Sequence, residues 1–350
     1  MRGIVILLGV ITFLLLGVGG VWYGLVREGP SERPMTVLIE KGSSIRSVAK
    51  QLRKEDVIRR AFIFKAMARL LGYNLKAGEY TFPAHVTLRQ ILNLMDDGKI
   101  SYRTLTIPEG LSSYHVIDLV TKAVGLNGDV AQMPKEGALL PDTYYYSHGD
   151  ARETLIHRME EAMERILSTL WAARKENLPL KSPEEVLILA SIVELETPQD
   201  AERARVAAVF LNRLSRGMPL QADPTVVYQL TQGKHPLDRL LTEKDLQVAG
   251  PYNTYKNKGL PPTPISNPGY ASIEAVTQPM ETKELYFVAN GRGGHVFAQT
   301  LNEHKNNRFQ VKKWKNRQAL RQQETAKAQK IKQERDQAQP DQPQRMEGQQ

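Results

Sequence analysis

The sequence predicts an α+β protein with an N-terminal transmembrane helix, a small α/β module and a larger α+β domain built around a buried helix. Three observations carry this. Ile4 to Val26 is a run of 23 uncharged, mostly apolar residues, long enough to cross a bilayer with some tilt. Residues 35–97 switch repeatedly between strand-like alternation and helical spacing. The stretch Ser182 to Pro198, SPEEVLILASIVELETP, is apolar nearly all round and then ends in Glu-Leu-Glu.

The chain has 350 residues, enough for two domains plus extensions, and a formal net charge of +9. Ten Lys/Arg stand against five Asp/Glu from Val311 to Gln350, so +5 of the +9 lies in the last forty residues. The body is only mildly basic and does not suggest a nucleic-acid groove. With no cysteine, disulfides, thiolate metal sites and cysteine nucleophiles are excluded together; an oxidising extracytoplasmic compartment is compatible with this.

A cleaved signal peptide is the alternative to an anchor over residues 1–27, but no small-residue cleavage pattern follows the apolar run, so an uncleaved anchor is expected. Arg2 precedes it and Arg27 and Arg33 follow it, which leaves orientation undetermined by charge. Residues 28–34 read as a polar tether.

Residues 35–100 form the small module. Met35 to Glu40 is a strand, Lys41-Gly42 a turn, and Ser44 to Arg53 a helix with Ile45, Val48, Ala49 and Leu52 on one face. Arg60 to Leu71 gives a second helix and Gly78 to Phe82 a second strand. Thr87 caps a third helix that turns Ile91, Leu92 and Leu94 inward and ends near Gly98. No catalytic-looking cluster occurs here, so binding or spacing is the expected role. The module resembles the LysM-like subdomain that precedes certain cell-wall enzymes.

The larger domain covers residues 101–315. A strand, Arg103 to Ile107, leads through Pro108-Glu109-Gly110 into a helix that begins near Ser112. In EGALLPDTYYY, Glu136 to Tyr146, Asp142 stands between Pro141 and three tyrosines. This suits a sugar site, or equally a hairpin that packs its tyrosine face on the core. A long amphipathic helix covers Glu153 to Arg174. Ser182 then opens the buried helix with a capping box, Pro183 at the first helical position and Glu185 three residues on. Asp200 caps a further helix, with Val206, Val209, Phe210 and Leu214 apolar, Asn212 and Arg213 polar, and Gly217 as its stop. Asp223 caps the next, with Pro224 first and Tyr228 one turn in; Gln221 sits in the turn before it.

A carboxylate at the end of a buried helix is costly without a partner. Two residues apart on a helix is a rotation of about 200°, so Glu194 and Glu196 point to opposite sides and cannot act as a pair. Glu196 shares the strip of Ile192 and Val193, Glu194 the smaller, more polar strip of Ala190 and Ser191. An apolar wall raises a carboxyl pKa, as a general acid at neutral pH requires. The plainer alternative is two surface glutamates at a fraying helix end; if either works, Glu196 is favoured.

Five motifs occur in order: ASIVELET at Ala190 to Thr197, VAAVFLNRLSRGMPLQADPTVVYQL at Val206 to Leu230, YNTY at Tyr252 to Tyr255, GLPPTPISNPG at Gly259 to Gly269, and LYFVANGRGGHVF at Leu285 to Phe297. Together they resemble the endolytic murein transglycosylases, the YceG-like (MltG) family. The anchor and small module fit that family's layout as well. The resemblance implies that the second glutamate of the ASIVEKET-type motif, here Glu196, is catalytic; Leu195 stands where a lysine is usual. It implies cleavage of the MurNAc–GlcNAc β-1,4 bond within peptidoglycan glycan strands to leave 1,6-anhydro-MurNAc ends. One carboxyl suffices for that reaction, protonating the glycosidic oxygen and then taking the proton of the sugar's own 6-hydroxyl. Ordinary glycosidases instead need two carboxylates about 5–5.5 Å or about 6.5–9.5 Å apart.

The resemblance makes Gln221, Asn212 and Tyr228 candidates for hydrogen bonds to sugar hydroxyls or N-acetyl groups, with a structural hydrogen bond as the alternative for each. Tyr252 and Asn253, on a proline- and glycine-flanked loop, are candidates to line the cleft, and Glu194 is a further candidate substrate contact. Gly291 to Gly294 reads as a hairpin turn. His295 and His304 lack a third ligand, so neither metal nor cofactor is expected. Expected partners are glycan strands, the membrane through the N-terminal helix and peptidoglycan synthases, with the body on the extracytoplasmic side. A catalytically silent wall-binding scaffold and a muramidase using Asp142 or Asp223 as a second carboxylate are the rival readings. Residues 316–350, glutamine-rich and charged, read as a helical extension that frays into disorder after Pro340.

Overall fold

The computed structural model describes residues 22–338 together with residues 9, 19 and 20. The expected membrane segment therefore lies mostly outside the described residues, among which no helix is long and apolar enough to cross a membrane. The chain divides into two compact units.

The first unit holds residues 1–108, 114–134 and 141–162. Strand β1 (Met35–Ile39) pairs antiparallel with β2 (Gly78–Phe82), Met35 opposite Phe82 and Ile39 opposite Gly78. Alternation sends Val37, Ile39, Tyr80 and Phe82 into a core completed by helices α1 (Ile45–Lys54), α2 (Ala61–Leu70) and α3 (Leu88–Asp97). Ser44 caps α1, Thr87 and Gln90 form a reciprocal capping box on α3, and Gly98 ends α3 in the left-handed conformation, φ 72°. The buried stripe of α3 is Leu88, Ile91, Leu92 and Met95, with Leu94 only half-buried. Met95, not Leu94, is one full heptad from Leu88.

Residues 28–34 are held against this module rather than spanning freely. The Gly29 N–H donates to Val86 O at 3.1 Å, and the His85 N–H to Ser31 O at 2.8 Å. The unit also reaches beyond residue 100. Ser101 N–H donates to Glu79 O at 2.6 Å, and Arg103 clasps the Glu79 carboxylate at 2.9 and 2.7 Å. Strand β3 (Arg103–Thr106) pairs antiparallel with β4 (Thr143–Tyr146), burying Tyr144 and Tyr146 and exposing Tyr145. The three tyrosines thus follow strand alternation. Most of α4 (Ser113–Lys122) belongs to this unit, and α5 (Arg152–Ala172) begins in it and ends in the second.

The second unit is organised on α6 (Pro183–Glu196), which packs against α7 (Asp200–Ser215), α8 (Asp223–Thr231) and α9 (Tyr270–Thr277). Leu189, Ile192, Val193, Val206, Val209, Phe210, Val226, Ile273 and Val276 are closed from solvent. Helix α9 was not legible beforehand, being eight residues behind a Pro-Gly pair. Both expected caps shift by one residue: Gln199 and Ala222 are the N-caps, and Asp200 and Asp223 open their helices from inside. Hairpin β5 (Tyr286–Ala289) and β6 (His295–Ala298) packs on α10 (Leu301–Ala338). The tail is thus helical to Ala338, and the expected fraying after Pro340 lies outside the described residues.

Candidate active site

Ser182 Oγ accepts the Glu185 N–H at 3.4 Å, and Glu185 reaches back one residue further than a capping box requires, to the Lys181 N–H at 2.6 Å. From this fixed start the helix carries two polar side chains, Ser191 and Glu194, into packed surroundings, where each fastens the loop 259–269. Ser191 Oγ donates to Ile188 O at 2.7 Å and accepts the Ile265 N–H at 3.0 Å; Ser266 Oγ donates to Ser191 O at 3.2 Å. Glu194 Oε2 accepts the Gly269 N–H at 2.9 Å, and its Oε1 meets Arg203 Nη2 at 3.2 Å. The buried Arg203 guanidinium also binds Glu109, at 3.3 Å, and Asp200.

Glu194 is therefore enclosed, with a side chain only 5% exposed, and has a cation and an amide for its charge. Its carboxylate fixes the loop and is not presented to solvent. The strip of Ala190 and Ser191 is as buried as that of Ile192 and Val193. The two glutamates differ in their partners, not in the openness of their faces.

Glu196 has no such partner. It is the last helical residue of α6, half-buried, and its Oε2 is closed from solvent without a hydrogen bond among the described residues. Burial pushes its pKa from 4.5 up to about 7, helped by the negative charge of Asp223 and opposed by Arg213. The negative end of the α6 dipole lies at the same place and disfavours a carboxylate further.

The surrounding groups come from α7, α8 and the loop 252–255. Arg213 is buried, donating through Nε to Leu285 O at 2.6 Å and through Nη1 to Leu220 O at 2.6 Å. Asp223, at the start of α8, is exposed and accepts the Tyr255 hydroxyl at 2.5 Å on Oδ1. Burial raises the Tyr255 pKa above its ordinary value, and the charges of Asp223 and Glu196 add to this, so the phenol keeps its proton for Asp223. Thr254 ties this loop to the turn before α8: its carbonyl accepts the Gln221 N–H at 3.1 Å and its Oγ1 the Ala222 N–H at 3.0 Å.

The sequence-derived candidates separate into three groups. Asn212 donates both amide hydrogens to backbone carbonyls, Thr282 at 2.8 Å and Glu284 at 3.0 Å. Asn253 is fully buried; it donates to Leu246 O and Val248 O at 3.1 and 2.7 Å and accepts the Tyr255 N–H at 2.9 Å. Both amides are engaged by the backbone, and Asn253 shapes the loop that delivers Tyr255. Tyr228 and Tyr252 stand together, ring centroids 4.8 Å apart, with the Tyr228 hydroxyl donating to half-buried Glu136 at 3.3 Å. Gln221 is exposed, with a left-handed backbone, φ 51°, beside Asp223. A non-glycine residue there stores strain, a feature that clusters at functional sites. His295 is paired with Glu202 at 2.8 Å, and His304 stacks on Tyr286.

Tyr255 and Arg213 were not named as site residues from sequence. A usable signal existed for Arg213: it follows Val209 and Phe210 by four and three residues, on the buried face of α7. Tyr255 had none beyond its place in the same short loop as Tyr252.

Known proteins resemble the chain over most of its length. The chain is 35% identical over 312 residues to the endolytic murein transglycosylase of Bacillus subtilis (strain 168), covering 79% of this chain and 84% of that protein. It is 31% identical over 362 residues to the endolytic murein transglycosylase of Streptococcus pneumoniae serotype 2 (strain D39), covering 85% of this chain and 64% of that protein. A solved structure of a putative yceG-like protein from Listeria monocytogenes is 34% identical and covers 79% of this chain and 99% of its own, with a TM-score of 0.49. The model of the YceG-like family matches residues 37–310, which take in α6 and every loop that closes on it; the chain belongs to the YceG-like family.

Proposed function

We propose that the chain is a peptidoglycan lytic transglycosylase in which Glu196 acts first as acid and then as base. The observation that carries this is the state of Glu196, a carboxyl with one oxygen sealed and unpartnered and a pKa of about 7. Near neutral pH such a group is divided about evenly between its acid and base forms, the condition under which one group can serve both steps. Glu194 is held by Arg203 and the Gly269 N–H and is closed from solvent, so it is not placed to meet substrate.

The protonated Glu196 donates to the oxygen linking MurNAc C1 to GlcNAc, and the C1–O bond breaks as positive charge builds on C1. The resulting carboxylate takes the proton from the C6 hydroxyl of the same MurNAc, and O6 closes on C1. Proton and electrons balance without water, leaving a 1,6-anhydro-MurNAc end and a new GlcNAc hydroxyl. Asp223, close enough to influence Glu196, supplies negative charge that favours the charged sugar in the transition state. The same residue keeps a hydrolytic muramidase as a second reading, since a water-activating carboxylate would have to stand there.

The name of the Bacillus subtilis and pneumococcal relatives supports the murein substrate and cleavage within strands. The 23-residue apolar run supports anchoring in the cell membrane, with the catalytic unit on the extracytoplasmic side where glycan is found. There, cleavage within a nascent strand limits its elongation, beside the synthases that make it, and the LysM-like module spaces or binds glycan. The test is release of anhydro-muropeptides by Glu196→Gln and Glu194→Gln, with circular dichroism as the folding control. Glu196→Gln should lose at least about 10²–10⁴-fold while Glu194→Gln, if folded, retains turnover. Near wild-type release by Glu196→Gln refutes the assignment.

A further inference from the structure

We propose that the cavity between the end of the N-terminal helix and the small module is a binding site for an anionic glycerophospholipid. The inference rests on reading residues 4–26 as the membrane segment.

Residues 22–26 are helical and do not leave the module freely. Leu25 is buried in the module core, a Cβ on Gly24 would lie 3.5 Å from Ile63 Cγ2, and the Gly29 N–H is bonded to Val86 O at 3.1 Å. Between helix and module remains a cavity of about 300 Å³, within the range of small-ligand pockets. Gly20, Tyr23 and Gly24 form its wall on the helix side. Val57, Val86 and Ile91, each at most 2% exposed, form its apolar base. Arg27, Arg59 and Arg60 line it as well, all exposed, with Glu28 as the one carboxylate.

None of these arginines makes an ion pair among the described residues; Arg59 only donates to Glu28 O at 3.4 Å, and Arg27 stands 5.5 Å over the Tyr23 ring. Three cations against one anion, above an apolar base, complement a ligand that is anionic at one end and apolar at the other. Its depth identifies the source. Trp22 and Tyr23, at the end of the apolar run, are about 60% exposed, and Trp and Tyr mark the membrane–water interface. Arg27 immediately follows the run, and Arg59 and Arg60 line the same cavity; on this reading they lie at headgroup level, where each adds to attraction for anionic lipid. The phosphodiester takes the arginines, and the acyl chains enter the bilayer.

The test uses the full chain in nonionic detergent, with lipid retention read by native mass spectrometry. Phosphatidylglycerol should be retained about tenfold or more over phosphatidylcholine, and Arg59→Gln/Arg60→Gln should lose that preference. Arg69→Gln, exposed on α2 but outside the cavity, should keep it. Inorganic phosphate should give no thermal stabilisation. Equal retention of both lipids, equal loss in Arg69→Gln or stabilisation by phosphate alone would each overturn the site. Glycan cleavage by Arg59→Gln/Arg60→Gln should match wild type, so failure here is independent of the transglycosylase reading. The intact mass of the membrane-extracted protein checks the anchor: a chain beginning near Val26 lacks the helix wall and overturns both the anchor and the lipid site.

Discussion

Replacing Glu196 by glutamine should change how stability responds to pH, in a direction set by the burial of the carboxyl. In the folded chain Glu196 holds its proton to about pH 7, against an ordinary value of 4.5. Below pH 4.5 both states are protonated and the folded state has its full advantage. As pH rises toward 7 the unfolded chain sheds the proton first, so stability falls; above 7 the folded chain carries a carboxylate with a sealed oxygen and no partner. A difference of about 2.5 pH units, at about 1.36 kcal/mol each, amounts to about 3 kcal/mol. Glutamine never ionises. The stability of wild type minus that of Glu196→Gln should therefore drop by about 3 kcal/mol between about pH 4 and about pH 8, other groups cancelling in the difference. Urea unfolding of both proteins, followed by fluorescence and far-ultraviolet circular dichroism across that range, measures it. A difference that stays flat would show an ordinary solvated carboxyl, and one that rises with pH a carboxylate stabilised by the fold; either refutes the reasoning.

Other outcomes follow from the same contacts. Ser191→Ala strands the buried Ile265 N–H and should cost about 1–3 kcal/mol in the same unfolding measurement. Tyr255→Phe removes the hydroxyl that Asp223 accepts, leaving more of its negative charge to act on Glu196. The high-pH limb of the cleavage profile should move upward, and a downward shift contradicts the electrostatic assignment. Deleting Lys327 to Gln350 removes the end of the terminal helix, exposed at Lys327 to Ile331, and the residues beyond it, and should leave glycan release per folded protein unchanged.

What could be read beforehand was what local chemistry dictates. The capping signals at Thr87 and Ser182 and the hairpin around Gly291 all follow from short spacings. The opposite directions of Glu194 and Glu196 follow from helix pitch alone. What was not legible depended on distant residues. The contrast between the two glutamates came from Arg203 and Gly269, nine and 75 positions from Glu194, and no property of the strip Ala190–Ser191 encodes it. For Asn212 and Asn253 the sequence could not name the partners, because an amide in a sequence does not reveal which carbonyls it will meet. Asp223 read as a cap because Asp-Pro often is one; its carboxylate is turned instead to Tyr255, 32 residues away.

Cleavage of purified glycan strands in ¹⁸O-labelled water tests the single-carboxyl chemistry most directly. An internal attack by the 6-hydroxyl consumes no water, so the new MurNAc ends should be anhydro, lighter by one water than reducing ends, and free of ¹⁸O. Glu196→Gln should release neither product. Reducing ends carrying ¹⁸O would contradict the account, placing a water-activating carboxylate opposite Glu196 and making the chain a hydrolase.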